Sequence, residues 1–144
     1  MKKAIPLVVA TLLLTACQSS GVSATGNVKT RDLQNHHFAL VSVNSENISN
    51  KEDSKLSIIF DENMHVSGTM CNNFMGSGKL KNNVLTVKNL TRTQMYCTKE
   101  RLNQWDQVFN GMLTKGAKVS LKGKKLTLVN GQNTLVYTLR DLDQ

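Results

Sequence analysis

The sequence predicts a mainly β fold: about eight short antiparallel strands, arranged as a sheet or small barrel, with one helix inserted. Three observations predict it. Apolar and polar residues alternate in short runs, the two-residue period of half-buried strands. Asn, Asp and Gly punctuate those runs at short intervals, and Asn130-Gly131 is the strongest hairpin signal among them. Only the stretch between Thr98 and Gly116 repeats its apolar residues at helical spacing. A chain of 144 residues suits one domain, and 40% apolar residues with only 5% aromatic give it one mostly aliphatic core.

From His37 the first strand alternates Phe38, Leu40 and Ser42 with Ala39, Val41 and Val43. Asn44 to Ser54 is polar and turn-prone. Leu56, Ile58 and Phe60 form the next strand, and Asp61-Glu62-Asn63 turns it into a partner whose inner face is Met64, Val66, Gly68 and Met70. Asn72 to Gly78 reads as a loop, Lys79 to Lys81 as a short piece, and Asn82-Asn83 as a turn into the strand Val84–Val87. Leu90 to Cys97 leads to the helix. Thr98 is its predicted N-cap and Glu100 stands in the first turn, where a negative charge is favoured. Leu102, Trp105, Val108, Phe109, Met112 and Leu113 make its apolar stripe, while Arg101, Asn103, Gln104, Asp106 and Gln107 take the other faces. Gly116 ends it. Val119 and Leu121, then Leu126 and Leu128, then Leu135, Tyr137 and Leu139 mark three closing strands. The stripe makes Trp105 a core anchor rather than a ligand platform.

The first residues read differently. Lys2 and Lys3 precede the apolar run Ala4–Leu14, which is too short to span a bilayer comfortably and has the make-up of a secretory signal. It ends in Leu14-Thr15-Ala16-Cys17, which resembles the cleavage and lipidation box of bacterial lipoproteins. That resemblance implies a signal peptide over residues 1–16 and acylation, including palmitate, on Cys17. Three acyl chains anchor a protein permanently, where one holds it only marginally. Gln18, in place of the Asp that commonly retains such proteins at the inner membrane, implies transfer to the outer membrane. Residues 17–33 then form the lipidated Cys and a flexible tether rich in Ser, Gly and Thr, and residues 34–144 the folded domain.

Several chemistries find no support. No nucleophile elbow and no phosphate loop occurs, and no carboxylate reads as buried, so no catalytic residue is assigned. His36 and His37 are adjacent in a strand and point to opposite faces, and His65 lies on the face away from Met64 and Val66, so no metal site is expected. Met64, Met70, Met75 and Met95 read as adaptable packing rather than copper ligands. No cofactor is implied. Formal net charge is +8, and +6 once Lys2 and Lys3 leave with the signal. That balance is compatible with anionic partners, but the Lys and Arg are scattered along the chain without interleaved aromatics, so nucleic-acid binding is not expected.

Two cysteine segments remain: Gly68-Thr69-Met70-Cys71-Asn72-Asn73-Phe74-Met75-Gly76 and Thr91-Arg92-Thr93-Gln94-Met95-Tyr96-Cys97. Their patterns, C-N-x-x-x-G and T-x-M-x-C, resemble the META domain, and from about Gln34 to Leu142 the chain is similar to bacterial heat-shock lipoproteins of that family. The motif residues are Asn72, Gly76, Thr93 and Met95. The resemblance implies a barrel-like sheet with one packed helix, and Phe38 stands where the family has a Trp. It also implies a Cys71–Cys97 disulfide, which suits the even cysteine count left once Cys17 is lipidated. Two reduced cysteines in the core are the alternative; a zinc site would want four clustered ligands. The implied protein is a non-enzymatic, monomeric lipoprotein of the outer membrane, on its periplasmic face, acting in heat or envelope stress and antibiotic tolerance by binding an envelope component. A structural or assembly factor for the outer membrane, or an enzyme with an unrecognised envelope substrate, are the alternatives.

Overall fold

The structure, a computed structural model, describes residues 26–48 and 55–141. The signal region, Cys17 and the start of the tether lie outside the described residues, as do residues 49–54 of the polar turn and 142–144. The elements are α1 (Thr30–Leu33), β1 (His36–Val43), β2 (Glu46–Asn47), β3 (Ser57–Phe60), β4 (His65–Thr69), β5 (Asn73–Lys81), β6 (Val84–Arg92), α2 (Glu100–Lys115), β7 (Ala117–Lys122), β8 (Lys125–Asn130) and β9 (Asn133–Leu139).

Every strand pairing is antiparallel. The order β1-β3-β4-β5-β6-β7-β8-β9 closes through β9 onto β1, giving an eight-stranded barrel, with β2 as a short extra strand beside the end of β1. Closure pairs the strands around the ring, fully everywhere but at the seam between β6 and β7. The inward residues fill the barrel: Phe38, Leu40, Ile58, Phe60, Val66, Leu85, Val87, Val119, Leu126, Leu128, Leu135 and Tyr137 are all buried. Tyr137 is fully buried, and burial pushes its phenol well above the usual tyrosine range.

One seam is thin. β6 and β7 share only the pairs Val84–Lys118 and Leu85–Ala117, helped by the Val119 N–H donating to the Asn83 carbonyl at 2.7 Å. Helix α2 is inserted between these two strands in the sequence and packs on β6, burying Trp105, Phe109, Met112 and Leu113. Phe109 meets Phe74 of β5 with ring centroids 4.2 Å apart.

Four expectations need correction. The segment Asn72–Gly78 is not a loop: from Asn73 it belongs to β5, a nine-residue strand, and β6 likewise runs past Val87 to Arg92. Thr98 does not cap α2; Lys99 holds that position, and the Asn103 side chain ties the approach by accepting from the Cys97 N–H and donating to the Cys97 carbonyl, both at 2.9 Å. The last hairpin turns one residue later than Asn130-Gly131, because Asn130 still pairs with Asn133 and Gly131-Gln132 make the loop. The folded part also begins before Gln34. Val28 and Leu33 are buried in the core, and Asn83 accepts from the Val28 N–H at 2.9 Å while donating to the Gly26 carbonyl at 3.3 Å. The apolar Val28 and Leu33 leave water for the core, so a flexible tether cannot extend through residue 33.

Candidate functional site

The site is built where the β4–β5 turn meets the segment between β6 and α2. Cys71 and Cys97 are bonded there, with Cα atoms 5.9 Å apart. Asp106 of α2 is only 4% exposed and sits beneath them. One of its oxygens accepts the backbone N–H groups of Cys71 (3.1 Å) and Asn72 (3.0 Å). The other accepts Nδ2 of Asn72 at 3.1 Å and the guanidinium of Arg92, at the end of β6, at 2.5 Å. A buried carboxylate costs several kcal/mol unless paired and hydrogen-bonded; four donors meet that requirement.

Asn72 is the hinge of this network. Its Oδ1 accepts from the Thr93 hydroxyl at 2.8 Å and from the Met95 N–H at 2.7 Å, so the asparagine of the first motif receives the threonine and the methionine backbone of the second. The Asn73 N–H donates to the Thr93 hydroxyl at 3.1 Å, and the Thr93 N–H to the Asn73 carbonyl at 3.0 Å. Gly76 lies where the β5–β6 register shifts, opposite the bulge that contains Asn89 (φ 56°) and Leu90. A Cβ there would stand 2.5 Å from a Val87 methyl and 2.9 Å from the Lys88 carbonyl, so the close approach requires glycine. Three of the four motif residues thus act as one joint between the segments, and Gly76 shapes the strand that leaves it.

The sequence reading placed no carboxylate in the interior, and Asp106 corrects it. The signal was present: Leu102, Asp106, Phe109 and Leu113 fall on one helical line, so a carboxylate in the apolar stripe marked a buried, partnered acid. Arg92 was also passed over. Two methionines read as packing are not packed: Met75 is 60% exposed and Met95 54%, whereas Met64 and Met70 are buried.

Beside the joint lies a groove of about 320 Å³ lined by Asn73, Phe74, Met75, Thr91, Arg92 and Thr93. Met75 is its exposed apolar side chain, and Asn73, Thr91, Arg92 and Thr93 line it with polar groups. Tyr96, 76% exposed, hydrogen-bonds Glu100 nearby, which raises its phenol above the ordinary range.

A second cavity, of about 380 Å³, opens at the far end of the barrel between Asn35, His36, His37, Ile59, Phe60 and Asp141. Asp141 accepts from the His37 N–H at 3.1 Å and contacts His36 Nδ1 at 3.0 Å; the first bond and then the second hold its carboxyl below the usual range. Burial, and then the Arg140 charge, push the His37 imidazole down against the opposing pull of Asp141. Its Nδ1 is buried without a hydrogen-bond partner. The two rings do not converge, and among the described residues no group of three or more His, Cys, Asp or Glu is arranged to hold a metal. His65 is exposed, 3.6 Å from Asp61.

Known proteins share both sequence and shape. The META domain model matches residues 31–141. Heat shock protein HslJ of Escherichia coli (strain K12) is 41% identical over 142 residues, which is 99% of each chain. A protein solved by NMR is 42% identical, with a TM-score of 0.75, and covers 82% of this chain and all of its own. Another NMR structure, of a protein from Burkholderia xenovorans, is 21% identical with a TM-score of 0.61 over 78% of this chain and 87% of its own, a likeness of fold alone.

Proposed function

The chain belongs to the META domain family, and from that premise we propose that it is a stress-related lipoprotein of the outer membrane, anchored through Cys17, that binds an envelope component without catalysis. The similarity to a heat shock protein over 99% of the chain supports the stress role. The carrying observation for binding is the contrast inside the site. Asp106, the one buried carboxylate among the described residues, has both oxygens occupied by Cys71, Asn72 and Arg92 and serves as a brace. The groove beside it is open, and its exposed Met75, flanked by Thr91 and Asn73, suits a ligand with an apolar body and polar groups.

The test places charge on the exposed Met75 without touching the brace. Met75→Glu should leave the melting midpoint within about 3 °C, since the side chain is mostly exposed. In cells lacking the wild-type gene it should restore neither survival after heat shock nor antibiotic tolerance. Full protection by this variant would remove the groove from the function. The anchor is tested separately: labelled palmitate should enter the wild-type chain and not Cys17→Ser.

A further inference from the structure

Five of the lysines scattered along the sequence gather at one end of the fold. The β5–β6 and β7–β8 hairpins are neighbours through the β6–β7 pairing. Lys81 faces Val84 across the first hairpin, and Val84 faces Lys118 across the seam, so the three stand in a row on the outer surface. Lys122, four residues further along β7, projects from the same face as Lys118. It lies directly opposite Lys125, with Lys124 in the turn between them. All five lysines are exposed, and none makes an ion pair among the described residues. Two like charges directly opposite each other on a sheet are destabilising, and no described acid forms an ion pair with Lys122 or Lys125. Val84, amid this charge, is one of the few exposed large apolar side chains.

The chain leaves the barrel at the same place. Asn83, in the turn between Lys81 and Val84, holds Gly26 and Val28. Gly26 is nine residues on from Cys17, and nine residues reach no more than about 30 Å even fully extended. We infer that this lysine face docks on the anionic headgroups of the bilayer, with Val84 meeting the headgroup layer between the charges. The docked orientation rests on the anchor proposed above; the affinity of the face for anionic lipid does not. The groove and the disulfide, at the opposite end of β5 and β6, then point away from the membrane.

The test uses residues 18–144, which retain the whole core from Val28 to Tyr137 and carry no acylation site, so a failure of the anchor leaves the result standing. Flotation with phosphatidylcholine vesicles containing about one third phosphatidylglycerol is compared with flotation on phosphatidylcholine alone. The chain should bind the anionic vesicles only. Lys118→Gln/Lys122→Gln should weaken binding about 30-fold, at about 1 kcal/mol per lysine. Lys55→Gln/Arg101→Gln removes the same charge at the disulfide end and should weaken it by about threefold at most. Equal losses in the two doubles, equal binding to both vesicles, or lysine-dependent binding to duplex DNA with none to vesicles would each overturn the inference.

Discussion

At the disulfide end of the barrel, Asp106 accepts four hydrogen bonds, Arg92 pairs with it, and Arg101 pairs with Glu46 at 2.6 Å. At the tether end, Lys81, Lys118, Lys122, Lys124 and Lys125 are exposed and have no acidic neighbour within ion-pair distance among the described residues. The same fold thus treats charge in two ways. A charge withdrawn from water must be met by protein groups, so it fixes geometry and breaks badly. A charge left in water costs little and stays available to something outside the molecule. The difference says which charges hold the fold together and which stay free to meet a charged surface.

The strongest challenge to that contrast is Asp106→Ala. It strands the Arg92 guanidinium and the N–H groups of Cys71 and Asn72, and should cost about 3–5 kcal/mol in urea unfolding. A loss under about 1 kcal/mol would mean that the carboxylate is not the brace. Next comes the disulfide, which closes a separation of 26 residues. Cys71→Ser/Cys97→Ser should cost about 3–4 kcal/mol on the chain-entropy account. Two alkylatable thiols in wild-type protein taken from the cell envelope would show that the bond is not used there. The smallest effect has the opposite sign. Lys122→Gln relieves the pair with Lys125 and should stabilise by about 0.2–1 kcal/mol. A clear destabilisation would place that lysine in the structural half of the comparison.

The strand periods were legible because each inner residue must be apolar and its neighbour need not be. Leu126 and Leu128, or Leu135 and Tyr137, announce themselves in this way. β5 was not legible. Gly76 and Gly78 stand at inward positions, where a Cβ on Gly78 would meet a Val66 methyl at 2.7 Å, so glycines that permit close packing looked like glycines that permit turns. The Cys, Asn, Thr and Met motif could be seen as a pattern but not as a joint, since the bonds from Asn72 to Thr93 and Met95 span more than twenty residues. Asp106 was misplaced by a rule of thumb that sends acids to the outer face of a helix. The lysine face was invisible for a geometric reason. Antiparallel hairpins bring positions 81, 118, 122 and 125 to one end, and distance along the chain carries no trace of that.

Closing the ring by laying β9 on β1 also sets a schedule. Ser42 waits for Val136, and Val43 for Leu135. In the exported chain proposed above, the amino end crosses the membrane first, so β1 reaches the envelope before β9 can join it. During that interval the first strand has one side bare, and its Phe38, Leu40 and Val43 lack the wall that will cover them. Pairings between partners this far apart are also slow to form once both exist. A newly exported copy is therefore most open to proteases and to sticking until its last strand arrives.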